Sequence, residues 1–247
     1  MHANFRNSLR SLPFCMAAIF FLALTPLRSQ DATKVSELGS FRAGALSFSF
    51  PLPSGDLVET GADYRVLLEP LVPATNRLVA AFVTPDDLVS LNGGNSKRLT
   101  EYALVEVPRQ AEFADVTPDI FKQIVDGTAA QFGANLENQV KDTAEDINRR
   151  LKALNSSAAT VSVDKPVYLG TLFSKTDAHG FGATMAFSSE GTKVTMAMGL
   201  VVLRVHNRVF FAYLYKRYED ESTLLWLRKA TEQWADSILN ANKQQID

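Results

Sequence analysis

The amino-acid sequence predicts an α+β fold: a single domain over residues 41–247, with a mostly antiparallel sheet and helices packed on it. Three observations lead to this prediction. Short apolar stretches are bounded by Gly, Pro and Asn, three longer segments have helical periodicity, and neighbouring strands are joined by short connections. Short connections favour antiparallel pairing, because parallel strands need a long crossover. In chain order the elements read β-β-β-α-α-β-β-β-β-α, which is typical of the α+β class.

The first half of the domain contains three predicted strands. A short extended stretch at 48–55 ends in a turn, and strands are predicted over 64–68, 78–83 and 102–107. Each is an apolar run bounded by Pro, Asn or Gly. Residues 84–98 contain a proline and an Asn-Gly-Gly-Asn sequence, and we interpret them as a long polar loop.

Three helices are predicted from their start signals and apolar stripes. The first begins at Thr117, which can cap it, with Pro118 at the first helical position, and Gly133 supplies a left-handed stop. The second covers 135–154 and has one apolar stripe opposite a solvated, charged face. The third covers 220–242, and Trp234 lies in its apolar stripe, so we expect that side chain to be largely buried.

The second half of the chain is rich in predicted strands, at 167–173, 182–187, 194–205 and 209–218. The last two are joined tightly enough for a hairpin, with Asn207 tolerating positive φ in the turn. Both are apolar on both faces over much of their length. Strands of this kind lie near the centre of a sheet that is covered on both sides.

The first 29 residues have the pattern of a secretory signal peptide. Arg6 and Arg10 precede an apolar run at 12–24, and Ser29 is a small residue at a plausible cleavage site. The run is shorter than the ~20 residues that a membrane-spanning helix needs. We therefore expect cleavage after Ser29, a mature chain beginning at Gln30, and a periplasmic or secreted protein without a transmembrane helix. An uncleaved N-terminal anchor is the alternative.

The composition of the mature chain excludes several classes of protein. Cys15 is the only cysteine and lies in the signal peptide, so disulfides and thiol catalysis are excluded. Phe14 precedes Cys15 and the apolar run continues after it, which argues against lipidation. Without the three arginines of the signal peptide, 22 basic residues face 27 acidic ones. A mildly acidic chain with no basic block is a poor nucleic-acid binder. We interpret residues 30–40 as a flexible N-terminal segment.

One loop carries the residue types of a hydrolase triad. Ser174, Asp177 and His179 lie within six positions of each other, and a small hydrolase using them is one possible function. Residues so close in one hairpin loop rarely reach the geometry of a triad, and no Gly-x-Ser-x-Gly elbow is present. A polar loop without a catalytic residue is the favoured interpretation. His206 is interpreted as a turn residue.

Metals and cofactors are not expected, because the histidines and carboxylates lack the spacing of zinc or calcium ligands.

A strand with alternating aromatic residues is the best candidate for a binding surface. Tyr213 and Tyr215 point to one face of it, and tyrosine combines an apolar body with a polar tip. If the protein binds a small molecule, we expect it to be apolar or amphipathic and to contact one of these tyrosines. The favoured interpretation is that both tyrosines belong to a packed core.

Residues 48–53 form an F-x-F-x-x-P stretch near the start of the domain, a helix is predicted from Thr117, and the 194–218 hairpin is followed by a helix at 221–240. In these features about half of the chain resembles the Mog1/PsbP-like family of exported α+β proteins of the DcrB type. The resemblance implies a non-catalytic accessory or binding protein. A structural protein of the envelope that docks through its long amphipathic helix, binding a protein partner, is a further alternative.

Overall fold

The computed structural model confirms the α+β class and describes most of the chain after residue 38. The described residues are 39–43, 46–53, 57–61, 68–69, 72–92, 99–154, 160, 162–189 and 192–243. The signal-peptide prediction for 1–29, residues 64–67 of the strand predicted over 64–68, and all but the last two residues of the 30–40 segment lie outside them. Leu68, the remaining residue of that predicted strand, is helical, so the prediction is wrong there. None of the helices within these ranges has the length and apolar character needed to cross a membrane.

Ten strands and four helices occur in the described part of the chain. The strands are β1 Gly39–Ala43, β2 Leu46–Phe50, β3 Val58–Glu59, β4 Asn76–Val83, β5 Glu101–Pro108, β6 Ser162–Val163, β7 Val167–Ser174, β8 Ala178–Ser189, β9 Thr192–Val205 and β10 Arg208–Arg217. The helices are α1 Pro85–Asn92, α2 Pro118–Ala134, α3 Leu136–Leu154 and α4 Glu221–Lys243.

One antiparallel sheet contains eight of the strands. Its order is β3-β4-β5-β10-β9-β8-β6, with β7 pairing β8 as well, while β1 and β2 form a separate hairpin. The predicted central hairpin is β9–β10. Its turn residues His206 and Asn207 have φ values of 47° and 59°, as a tight two-residue turn requires. The prediction that this hairpin lies at the centre of the sheet is confirmed.

The sheet is covered on both faces, so the molecule has three layers. On one face, Phe48 and Phe50 of the β1–β2 hairpin and Trp234 and Ile238 of α4 pack against the sheet. On the other face, apolar residues of α2 and α3 pack against a row of large side chains on β5, β8, β9 and β10. Two-sided coverage explains the long apolar runs at 196–203 of β9 and 209–215 of β10.

Two predictions about helices are corrected by the structure. The interpretation of 84–98 as a loop is wrong, because α1 occupies its first half; residues 93–98 lie outside the described part. Thr84 caps this helix, with its Oγ1 accepting from the backbone nitrogen of Asp87 at 3.2 Å, and Pro85 takes the first position. Gly133 does not end α2, which continues to Ala134.

A glycine permits α4 to approach the sheet closely. A Cβ on Gly199 of β9 would lie 2.4 Å from Oγ1 of Thr231 in α4, well inside van der Waals contact. We therefore expect Gly199→Ala to lower the free energy of unfolding by about 1–3 kcal/mol through overpacking. Chemical denaturation measures this change.

Gly127→Ala is the matched control for this substitution. Gly127 lies inside α2, and a Cβ there meets no atom within 4 Å. Alanine at this position is expected to raise the free energy of unfolding by ~0.5–1 kcal/mol, because a helical glycine costs backbone entropy. An unchanged stability of Gly199→Ala would show that α4 can shift away from the sheet at little cost.

Candidate functional site

Glu106 is an acidic side chain inside the core. It has no exposed surface and lies in β5, opposite Phe211 of β10 and Leu78 of β4. Side chains alternate along a strand, so it shares a face with Tyr102 and Leu104. That face is the one covered by α2 and α3. The carboxyl group therefore lies between the sheet and these helices, among apolar neighbours.

Only one oxygen of the Glu106 carboxyl has a protein partner. Asn76 Nδ2 donates a hydrogen bond to its Oε2 at 2.8 Å, and Oε1 has no partner among the residues that the structure describes. Burial raises the pKa of Glu106 to about 8, against the lowering effect of the Asn76 bond, and the charge of Glu69 raises it further. The carboxyl is therefore mainly protonated at neutral pH. Because Oε2 accepts from Asn76, Oε1 is the oxygen that carries the O–H donor.

The sheet is irregular beside this acid. The register of β4 and β5 shifts between Leu78 and Ala80, which is a β-bulge directly next to Glu106. The backbone nitrogen of Leu78 donates to Oε2 of Glu69 at 3.0 Å, while the other oxygen of Glu69 accepts from Arg109 at 2.5 Å. A side-chain carboxylate thus holds the backbone at the bulge. Asn76, Glu69 and Glu106 form a polar group at one end of an otherwise apolar interlayer space.

The two predicted ligand-binding tyrosines lie on the same face of the sheet. Tyr213 and Tyr215 are fully buried, and their rings are stacked at 6.2 Å between centroids. Tyr215 also stacks on Tyr102 at 4.5 Å with an interplanar angle of 14°. The three rings form a column under α2 and α3. Contact of Tyr213 or Tyr215 with a ligand stays a prediction, and such a ligand would lie inside the molecule rather than on its surface.

The structure brings together two of the three residues in the triad hypothesis. Ser174 and His179 face each other across the β7–β8 hairpin, with Oγ of the serine 3.1 Å from Nδ1 of the histidine. Asp177 is not part of this pair. Its carboxylate accepts from Nε of Arg204 at 2.8 Å, so the aspartate fixes the hairpin to β9.

The pKa of His179 is affected mainly by burial of its ring against α2. Its ring lies 5.8 Å from that of Phe121, and burial lowers the pKa of His179. Asp126 and Lys122, also on α2, have smaller opposing effects on this pKa. The imidazole is therefore mainly neutral at neutral pH, which is the form that can accept the Ser174 proton.

Sequence reasoning missed Glu106 and Asn76 as candidate site residues. A signal for Glu106 exists in the printed sequence, because Tyr102, Leu104 and Glu106 alternate on one face of a strand otherwise occupied by apolar residues. No comparable signal marks Asn76, since its role depends on the pairing of β4 with β5. Within the described ranges, no group of three or more His, Cys, Asp or Glu residues is placed to hold a metal ion.

No protein-family model matches this chain, and no curated protein matches it with significant similarity.

Proposed function

We propose that this chain is an exported, non-catalytic binding protein that holds an apolar or amphipathic small molecule between its sheet and helices α2 and α3. The observation that carries the proposal is the column of three stacked tyrosines under these helices. Tyrosine combines a large apolar surface with a polar tip, which suits contact with an amphipathic molecule. Export and membership of the Mog1/PsbP-like family are parts of the same proposal, supported by the N-terminal sequence and by the order of elements.

Methionine side chains in the same space favour a binding role. Met196 and Met198 of β9 are fully buried on the face of the sheet that carries Tyr102, Tyr213 and Tyr215, here called the tyrosine face. Met198 lies opposite Tyr215. Methionine is unbranched and flexible, so a surface rich in it can adapt its packing to a guest molecule. α2 and α3 supply apolar residues such as Phe132 and Val140 to the opposite wall.

A fluorescent apolar probe tests the binding proposal. We expect the mature chain to bind N-phenylnaphthylamine saturably, and Tyr215→Leu to weaken binding about tenfold because a ring contact is lost. Tyr218→Leu is the matched control, since Tyr218 lies just beyond β10 and is 37% exposed. Tyr215→Phe keeps the ring and should retain binding. Equal effects of the two leucine substitutions, or binding that does not saturate, would contradict the proposal.

Export has its own test in the intact mass of the protein isolated from the periplasm or the medium. We expect a mass that corresponds to a chain beginning at or near Gln30, without disulfides. A mass that includes residues 1–29 would contradict cleavage. A diacylglyceryl adduct would instead show that Cys15 is lipidated.

The contact between Ser174 and His179 favours hydrolysis as a second candidate function. A neutral imidazole 3.1 Å from a serine hydroxyl can take up its proton as the oxygen attacks an ester carbonyl. The histidine then gives that proton to the departing alcohol, and water releases the acyl group from the serine.

His179→Ala separates hydrolysis from binding. If the protein is a hydrolase, this substitution abolishes ester hydrolysis and fluorophosphonate labelling of Ser174 while the melting temperature stays nearly unchanged. Asp177→Asn is the control, because Asp177 contacts Arg204 rather than His179 and should leave the chemistry intact. No turnover of a broad set of esters and peptides by the unaltered protein would exclude this candidate.

A further inference from the structure

The polar group formed by Asn76, Glu69 and Glu106 lies at one end of the tyrosine face, where an ordinary core contains apolar residues. Glu106 is fully buried, and its Oε1 has no partner among the described residues. A buried polar atom without a hydrogen bond costs free energy, and such atoms are rare in native proteins. Apolar residues surround this position on β4 and β10, so a leucine here would fit the core pattern.

The surroundings of Glu106 are built to hold this carboxyl in place. Asn76, itself 2% exposed, donates to Oε2, so the side chain is fixed by one oxygen and the other is left over. The β-bulge beside it interrupts the pairing of β4 with β5. Bulges occur often next to functional sites, where they redirect a side chain.

We infer that Glu106 is the polar anchor of the ligand site, and that the ligand is a lipophilic molecule whose head is an uncharged oxygen acceptor, such as an ester carbonyl or an alcohol hydroxyl. This inference rests on the proposed function. The apolar body of the ligand contacts the tyrosine column, and Oε1–H of Glu106 donates a hydrogen bond to the oxygen of its head.

The charges near Glu106 exclude ionic heads. An anionic head would lie close to the carboxylate of Glu69, and Arg109, the cation that contacts this carboxylate, is already paired with it. An ammonium head would require Glu106 to ionise in an apolar environment, where a charge is strongly disfavoured. An uncharged acceptor satisfies Oε1–H without moving a charge into the core.

Competition among three molecules that share a dodecyl group and differ in their head group tests whether the site prefers an uncharged head. Dodecanol, dodecanoate and dodecylammonium are titrated against the mature protein loaded with N-phenylnaphthylamine. We expect dodecanol to displace the probe about tenfold more effectively than either ion, a ratio that one buried hydrogen bond to an uncharged head can supply. Preference for either ionic compound would overturn the inference.

Variants of Glu106 identify the residue responsible. We expect Glu106→Leu to weaken dodecanol binding about tenfold, and Glu106→Gln, which keeps a donor, to stay within about threefold of the unaltered protein. Glu112→Gln is the matched control: Glu112 is another largely buried acid at this end of the sheet, and it is paired with Arg77. Equal dodecanol binding by the unaltered protein and Glu106→Leu would overturn the inference.

Infrared difference spectroscopy keeps the inference testable if Glu106→Leu does not fold. The carbonyl band of a protonated carboxylic acid, identified by its loss in Glu106→Gln, is expected to shift when dodecanol binds. An unchanged band would mean that Oε1 faces buried water or protein only, and would overturn the inference. If N-phenylnaphthylamine binds but dodecanol leaves the carbonyl band unchanged, the proposed binding function is supported and the role of Glu106 as polar anchor is contradicted. If neither molecule binds, both the proposed function and the role of Glu106 are contradicted.

Discussion

Replacement of Trp234 by alanine is expected to lower the free energy of unfolding by about 3–5 kcal/mol, the cost of removing a large buried aromatic side chain. Trp234 is 1% exposed, and its ring meets that of Phe82 edge-on at 6.0 Å. Its indole Nε1 also donates to the backbone oxygen of Pro51 at 2.8 Å. The substitution therefore removes contacts of α4 with both the sheet and the segment after β2. Denaturant unfolding measures the effect.

Leu225→Ala provides the control on the same helix. Leu225 is 68% exposed, so its loss should change stability by no more than ±0.5 kcal/mol, as is typical of surface positions. If Trp234→Ala also falls within this range, α4 does not contribute to the core in the way that the structure describes.

The second large effect is a dependence of stability on pH that is caused by Glu106. Its pKa is raised by burial from 4.5 to about 8 in the folded state, so the folded chain keeps a proton that the unfolded chain releases. The contribution of protonated Glu106 to the free energy of unfolding is therefore fully present below pH 4.5 and is lost as the pH rises towards 8. The difference between the two pKa values corresponds to roughly 5 kcal/mol over the whole window.

Glu106→Gln isolates this effect, because glutamine has nearly the same shape and does not titrate. We expect the variant and the unaltered protein to be similarly stable near pH 4, and the variant to become the more stable one as the pH approaches 8. Glu69 faces Glu106 and pairs with Arg109, while Glu112 at the same end of the sheet pairs with Arg77. Parallel stability curves for the two proteins over this window would show that Glu106 ionises freely in the folded state.

Much of the fold can be predicted from the sequence because its strongest patterns are local. The hairpin β9–β10 is apolar on both faces and α4 has a continuous apolar stripe, so the centre of the sheet and the burial of Trp234 follow from the residues themselves. The start of α1 is equally local, since Thr84, Pro85 and an acidic first turn repeat the pattern that predicts α2. The Asn-Gly-Gly-Asn sequence at 92–95 favours a loop, however, and the sequence therefore predicts a loop rather than a helix over 84–98.

The candidate site could be predicted only in part, because it depends on contacts between distant segments. Tyr213 and Tyr215 can be placed on one face by alternation alone, but the third ring of the column comes from β5. Asn76 and Glu106 are thirty positions apart, and only the pairing of β4 with β5 joins them. Asp177 is close to His179 in sequence, yet the register of β8 and β9 directs it to Arg204.

The last described helix is joined to the beginning of the domain by two hydrogen bonds. Asn242 Oδ1 accepts from the backbone nitrogen of Ser49 at 2.9 Å, and Asn242 Nδ2 donates to the Ser49 oxygen at 2.8 Å, across 193 positions of sequence. During synthesis from the amino terminus, Phe48 and Phe50 therefore emerge long before the helix that covers them. Contacts of such long range make folding slow. These two aromatic side chains therefore cannot be covered by α4 until the chain has been made as far as residue 242.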